Sequence, residues 1–342
     1  MKEYSIIVVG ATGAVGQEMV RLLELRNFPV KDLHLLASER SVERVIKYKD
    51  VSIPVEDLQN FNISNSLADL ALFSAGAMIS QEYAPKFVRE GIYVIDNSSA
   101  WRMDPKVPLV VSEVNPHTLH SGSHLIANPN CSTIQMVVVL KPLHRSAKIK
   151  RIIVSTYQSV SGAGMKAMED LRIQSEAYLL GRPIPEGKKF LYPIAFNCIP
   201  QIDIFLDNAY TKEEMKMVNE TKKILEDETI RISATCIRVP VFRCHSESVY
   251  IETEKKLTPG DAREILSKAP GVEVLDDPVK QKYPLPRDAE EKYATYVGRI
   301  RQDLSSDNGL CMWIVSDNLW KGAALNAVQI AELLVEKRIL TP

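Results

Sequence analysis

One cysteine stands where a turn gives way to an apolar run. In IANPNCSTIQ (126–135) Asn128, Pro129 and Asn130 are turn formers, and STIQMVVVLKPL from Ser132 onward is apolar enough to enter a core as a helix. Cys131 therefore falls at an expected helix N-terminus. There, unpaired backbone N–H groups and the positive end of the helix dipole stabilise a thiolate and make it a nucleophile. The competing reading is a small buried hydrophobe, the commoner fate of a free cysteine.

A second spacing carries chemistry. Gly10, Gly13 and Gly16 in VVGATGAVGQEMV follow a strand-like run and open a helix-like one, and glycine there lets backbone N–H groups approach a pyrophosphate. The apolar stripe Val15, Met19, Leu22, Leu23 and the β-α-β continuation strengthen a dinucleotide site. At the end of the second strand an acidic residue would take a ribose 2′-hydroxyl and an arginine a 2′-phosphate. Ser38, Glu39, Arg40 and Ser41 stand there, which favours NADP while Glu39 keeps NAD possible.

A thiol nucleophile serving a nicotinamide suggests aldehyde oxidation through a thiohemiacetal and then a thioester. That chemistry needs a group to manage a proton. His34 and His144 fall in structural positions, and His245, in FRCHSES just before a strand, is as readily a core histidine as a base. His117, His120 and His124 lie close together but have no helical register and no cysteine at ligand spacing, so they read as a surface loop and no metal is expected. Cys244 would point to the face opposite His245. Glu213 and Lys216 are spaced to share a helix face.

The elements that must position these groups alternate in the first third: SIIVV (5–9), a helix over 14–25, LHLLA (33–37), DLALFSA (69–75), a helix near 80–90, and IYVID (92–96). This implies an α/β fold with a doubly wound, Rossmann-like parallel sheet over 1–130. A mixed α+β catalytic and dimerisation domain follows over 131–317. It holds RIIVSTYQSV (151–160), a long helix from Met165, a loop rich in proline and aromatics (181–203), a charged helix over 212–225, TCIRVPVF (235–242) and ESVYIET (247–253). CMWIVSDN (311–318) leads into an amphipathic helix, and 318–342 is expected to pack back on the first domain.

The chain has 342 residues, 45% of them hydrophobic, and a net charge of −1, which gives no electrostatic pull toward nucleic acid or an anionic membrane. Its five cysteines are scattered with no CxxC pair, and the N-terminal run lacks the pattern of a signal peptide. A cytoplasmic location is expected.

GATGAVG, DNSSAWR (96–102), NPNCSTIQ (128–135), QSVSGAG (158–164), EEMK (213–216), RVPV (238–241), HSES (245–248) and DNLWKGAA (317–324) occur in order along nearly the whole chain. Together they resemble the bacterial type of the aspartate-semialdehyde dehydrogenase family. The resemblance implies a reversible NADP-dependent reaction in which L-aspartate 4-semialdehyde and phosphate give L-4-aspartyl phosphate. Reduction is the biosynthetic direction, toward lysine, threonine and methionine by way of diaminopimelate. It makes Cys131 the nucleophile, His245 the acid/base and Gln158 the group that orients the acyl intermediate. Arg238 would bind the substrate carboxylate and Glu213 its ammonium group, while Arg102 and Lys216 would hold phosphate. Thr12, Gly13, Ala14, Val15, Arg40, Ser41, Ser161, Gly162 and Asn318 would line the NADP site. A homodimer or homotetramer is implied, with the second domain supplying the contact surface.

After Arg40 and Ser41 the chain reads Val42, Glu43, Arg44 where the family commonly has a small residue, glycine and lysine, and Cys244 is also unexpected. Two other readings use the same residues. One is a reductase of another acyl donor, such as N-acetylglutamyl phosphate or a CoA ester; the other is a nucleotide-binding sensor without catalysis.

Overall fold

The computed structural model describes residues 2–340, so the last two residues of the expected C-terminal segment lie outside it. The chain divides into two compact units, residues 1–130 with 323–342, and residues 131–322.

The first unit contains β1 (Tyr4–Val9), α1 (Ala14–Leu25), β2 (Val30–Ala37), β3 (Val45–Tyr48), β4 (Val51–Asp57), β5 (Leu70–Phe73), α2 (Ala77–Arg89), β6 (Tyr93–Asp96) and β7 (Leu125–Ala127). The second contains α3 (Cys131–Ala147), β8 (Ile149–Gln158), α4 (Met165–Leu179), α5 (Lys212–Leu225), β9 (Arg231–Arg238), β10 (His245–Thr253), α6 (Pro259–Ser267), β11 (Val272–Val274), α7 (Pro286–Ala289), β12 (Thr295–Gln302) and β13 (Gly309–Ser316). The chain then returns to the first unit with α8 (Leu325–Glu336).

The first sheet runs β3-β4-β2-β1-β5-β6-β7. Its central strands are buried on both faces, as helix-covered parallel strands must be, and they are therefore continuous apolar runs rather than alternating ones. Ile7, Val9, Ala71, Phe73 and Val94 pack under Tyr83, Ala84 and Phe87 of α2. On the other side α1 lies against β1 and α8 against β6, and the two helices touch each other. The expectation of a purely parallel sheet holds from β4 to β7 but not at the edge, where β3 pairs antiparallel with β4. Residues Lys49 and Asp50 join these two strands with positive φ at both positions, the backbone of a tight hairpin turn.

The second sheet runs β11-β12-β13-β10-β8-β9, parallel at both ends and antiparallel in the middle. α3 lies across β8, β10, β12 and β13, and α5 lies against β9. Alternate residues of a strand face the same side, so the helix-covered face collects Arg238 and Cys236, Gln158 and Thr156, and His245 and Glu247, all buried.

One asparagine holds the return of α8 to the first unit. Fully buried Asn326 accepts a hydrogen bond from the Ser112 N–H and donates to the Val110 carbonyl (2.9 Å) and to Asn128 Oδ1 (2.6 Å). Asn128 in turn donates to the Asn97 side chain and to the Ala323 carbonyl, while its own N–H bonds to Asp96. Asn326→Ala takes a buried donor from the Val110 carbonyl and from Asn128 Oδ1, and an acceptor from the part-buried Ser112 N–H. It should lower stability by about 2–4 kcal/mol, read as a drop in the urea midpoint at unchanged slope. An unchanged midpoint would show that these bonds are not what fixes α8.

Candidate active site

Strand pairing builds the centre of the site in the second unit. Gln158 is in register with Arg238, and His245 lies one step beyond the pair Ser246–Tyr157, opposite Gln158. Arg238, Gln158 and His245 thus form a row at neighbouring strand ends.

The imidazole of His245 is fully buried, and its Nδ1 accepts the Ser159 backbone N–H at 3.1 Å, with Ser159 Oγ at 3.0 Å. A backbone N–H can only donate, so the neutral ring carries its proton on Nε2. Among the described residues Nε2 has no partner. Burial pushes the ring well below its ordinary pKa, and the neighbouring Arg238 pushes it further the same way. Glycine at position 162 leaves room over this nitrogen: a Cβ there would stand 3.2 Å from Nε2 and 3.1 Å from Arg238 Nη1.

Ser161 and Asn318, expected among the cofactor contacts, are buried, and their polar groups are turned toward this support. Asn318 Nδ2 donates to Ser161 Oγ, and Asn318 Oδ1 receives the Cys244 N–H and lies 3.1 Å from Ser159 Oγ. Gly162, next to Ser161 in the chain, is exposed.

Arg238 Nη1 donates to the Ser159 carbonyl at 2.6 Å, whereas its buried Nε has no partner among the described residues. Burial lowers its affinity for the proton and Glu213 opposes that effect. Gln158 Nε2 makes long contacts with Glu213 Oε1 (3.4 Å) and Thr156 Oγ1 (3.3 Å). Glu213 and Lys216, expected at the substrate ammonium group and at phosphate, pair with each other here at 3.0 Å. Lys216 is also 3.0 Å from Asp203, a partner that sequence spacing did not suggest. Burial disfavours the Lys216 charge, but the two carboxylates outweigh it and raise its pKa.

Cys131 is the first residue of α3, as expected, and its thiol is half-buried and in no disulfide. It lies within electrostatic reach of Arg238. Four residues on, Gln135 donates to the His245 carbonyl at 3.4 Å, which ties the same helix to β10. Gly322 closes on Cys131 so tightly that a Cβ there would come within 2.8 Å of the Cys131 Cβ.

In the first unit, Arg102 donates to the carbonyls of Asn128 and Asn97, both at 2.9 Å. Gly10 has φ +83°, and a Cβ there would meet the Ser74 carbonyl at 2.5 Å; at Gly16 it would meet the Gly10 carbonyl at 2.1 Å. α1 begins after Gly13, no side chain caps its first-turn N–H groups, and the loop fits a dinucleotide pyrophosphate. Thr12 Oγ1 reaches Ser41 Oγ at 3.4 Å, joining the loop to the short turn Glu39–Ser41 at the end of β2. Arg40 is exposed with no ion-pair partner among the described residues, and Glu43 is exposed as well.

The remaining histidines are engaged elsewhere. His34 contacts Glu56, His120 contacts Ser123, and His124 stacks on Tyr93. No cluster of three or more His, Cys, Asp or Glu among the described residues could hold a metal ion.

Two families match this arrangement: "Semialdehyde dehydrogenase, NAD binding domain" over residues 5–122 and "Semialdehyde dehydrogenase, dimerisation domain" over residues 140–321. The aspartate-semialdehyde dehydrogenase of Aquifex aeolicus is 55% identical, the match covering 98% of this chain and 99% of that protein. The chain belongs to the aspartate-semialdehyde dehydrogenase family. The Bacillus subtilis member is 51% identical over 96% of each chain. Among solved members of the family, aspartate semialdehyde dehydrogenase II of Vibrio cholerae, complexed with ASA, superposes with a TM-score of 0.95 at 46% identity, covering 98% of this chain and 99% of that one. The Candida albicans enzyme, solved with NADP, superposes at 0.76 with 27% identity, covering 99% and 100%.

The buried neutral ring gives a pH signature. As pH falls through 6.5 the unfolded chain takes up a proton at His245 that the folded chain resists, so stability present above that value is lost below it. His245→Asn keeps an acceptor for the Ser159 N–H but cannot titrate. Between about pH 7.5 and about pH 5.5 its urea midpoint should fall less than that of the wild type. Equal falls would show that His245 protonates freely in the folded chain.

Proposed function

We propose that this chain catalyses the reversible NADP-dependent interconversion of L-4-aspartyl phosphate with L-aspartate 4-semialdehyde and phosphate, in the cytoplasm, on the route to lysine, threonine and methionine. The reading is carried by the row Arg238–Gln158–His245 in the same unit as a thiol at a helix N-terminus. When bound, the nicotinamide supplies the hydride acceptor or donor for the carbonyl carbon. Gly10, Thr12, Gly13, Ala14, Val15 and Gly16 would hold its pyrophosphate, Arg40 and Ser41 the 2′-phosphate, and Gly162 its nicotinamide end, with Ser161 and Asn318 supporting that loop.

In the oxidative direction Cys131 reacts as the thiolate favoured at the start of α3, its proton released to water, and its sulfur adds to the aldehyde carbon, so that the carbonyl π bond becomes an oxyanion. His245 Nε2–H donates to that oxygen, and its neutral, buried state keeps it a donor rather than a mobile charge. After oxidation the carbon is a thioester on Cys131, oriented by Gln158. A phosphate oxygen adds to it, the C–S bond breaks, and the thiolate returns as acyl phosphate forms. Arg238, with Nε unpartnered, is suited to the substrate α-carboxylate, and Glu213 to its ammonium group. Binding would then draw Glu213 partly away from Lys216 and free that ammonium for phosphate.

We place the dimer contact on the face of the second sheet that the helices do not cover, where Ile153, Tyr157, Tyr250 and Trp313 lie half-buried or exposed.

The deciding measurement is the initial rate of NADP⁺ reduction by L-aspartate 4-semialdehyde with and without inorganic phosphate. Turnover should require phosphate, and Cys131→Ala should lower kcat by more than about 10⁴-fold while NADP binding persists. Substantial activity in the variant would remove the thioester. Lys216→Ala should raise the KM for phosphate about tenfold, the worth of one charged hydrogen bond. An unchanged KM would remove Lys216 from the phosphate site.

A further inference from the structure

One buried acid in the second unit has no role in this chemistry. Glu247 follows His245 by two residues on β10 and so faces the same helix-covered side. It is fully buried, and neither carboxyl oxygen meets a donor at hydrogen-bonding geometry among the described residues.

Among the described residues, the groups around it supply no cation. Its cross-strand neighbours are Thr156 on β8 and Ile314 on β13, and beyond Thr156 the parallel strand β9 brings Cys236. The Cys236 thiol is itself raised by burial and by the nearby carboxylates. From α3 the Gln135 side-chain amide faces the carboxyl.

Gln135 has the complementary deficit. Its Nε2 points at the His245 carbonyl, which fixes the amide orientation, because an oxygen there would face another acceptor. Its Oε1 is then a buried acceptor with no partner among the described residues. An ionised Glu247 would add only more acceptors to a place that lacks donors. A single proton on the carboxyl supplies the missing donor.

We propose that Glu247 is a neutral carboxylic acid in the folded protein, that its O–H donates to Gln135 Oε1, and that this bond makes Glu247 a positioning residue. It holds the Gln135 amide against the His245 carbonyl and so links the helix that begins at Cys131 to the strand that begins at His245. The positioning half rests on the proposed roles of Cys131 and His245; the protonation half does not. Burial raises the affinity of Glu247 for its proton well above the ordinary carboxylate range and outweighs the opposing effect of the Gln135 amide beside it.

Two measurements on the full-length protein test the proposal and separate its failure from failure of the functional reading. The infrared difference spectrum between the wild type and Glu247→Gln, at neutral pH without substrate, should contain the carbonyl stretch of a protonated carboxylic acid, lost in the variant. A carboxylate signal in its place overturns the proposal, whatever the enzyme acts on. In kinetics, Glu247→Gln can still donate one hydrogen bond to Gln135 Oε1 and should keep kcat within about threefold and leave the pH profile in place. Glu247→Leu cannot, and should lose kcat about tenfold or more with little change in the KM for semialdehyde, as expected when reacting groups are misplaced rather than a binding contact removed. Wild-type kcat in the leucine variant overturns the positioning role. A shifted acid limb in the glutamine variant overturns the neutral state. If the leucine variant does not fold, the spectrum and the glutamine variant still decide the protonation state, and Gln135→Met, which removes the acceptor, decides the positioning role: the same loss of kcat supports it and wild-type kcat overturns it.

Discussion

The register in which β8 pairs with β9 on one side and β10 on the other places Arg238, Gln158 and His245 on one face, at one level, where three strands begin or end. Side chains alternate along a strand, so a slip of one residue in either pairing would send a member of this row to the opposite face. The layer below, Cys236, Thr156 and Glu247, is buried and polar and would be displaced with it. Neither surface loops nor the thiol's own helix could fix this row, because only the sheet ladder ties all three backbones together. The helices then complete the site: α5 brings Glu213 to Gln158, and α3 brings Gln135 to His245.

Closing the helices over that row removes water from it, and the ionisation states follow from how each group is compensated. Glu213, Lys216 and Asp203 form a chain in which one ammonium serves two carboxylates. Arg238 is less fully served: one carbonyl takes Nη1 and Glu213 supplies the opposing charge, while Nε is open. His245 has no carboxylate against it, and with Arg238 beside it the neutral ring is the form that survives burial. A site that keeps an unpaired guanidinium N–H and an unpaired imidazole N–H is short of acceptors, and a substrate with a carboxylate and a polarised carbonyl supplies them.

Much of this was legible from local patterns. The glycine loop, the helix start at Cys131 and the charged helix over 212–225 announce themselves by turn residues and periodicity, and they appear at those places. Groups defined by long-range contact did not. Asp203 sits in a loop with no periodicity, so its bond to Lys216 has no signature in spacing. Gly322 looks like an ordinary glycine until the approach of Cys131 is seen. The β3–β4 hairpin escaped because its two-residue turn is Lys49–Asp50 rather than the asparagine–glycine or aspartate–glycine pair that signals positive φ. Ser161 and Asn318 stand where the family pattern sets cofactor contacts, yet their polar atoms face Ser159 and Cys244.

That last pairing accounts for Cys244. Its φ of +71° lies in the left-handed region, which costs a residue other than glycine about 1–2 kcal/mol. The thiol recovers part of that by burial against Ala289 and Val315, on the side away from His245. The bend is held from outside the strands: Arg243 pairs with Asp317 at 2.8 Å, and the Cys244 N–H bonds to Asn318 at 3.0 Å. His245 and Ser316 form the adjacent ladder pair, so side chains continue the β10–β13 pairing past the point where the backbone ladder stops. The chain therefore enters β10 already turned, and the imidazole meets the Ser159 N–H as a consequence of where its backbone is anchored. Replacing the ring leaves that anchor in place, whereas releasing Asn318 would loosen it with every side chain of the row still present.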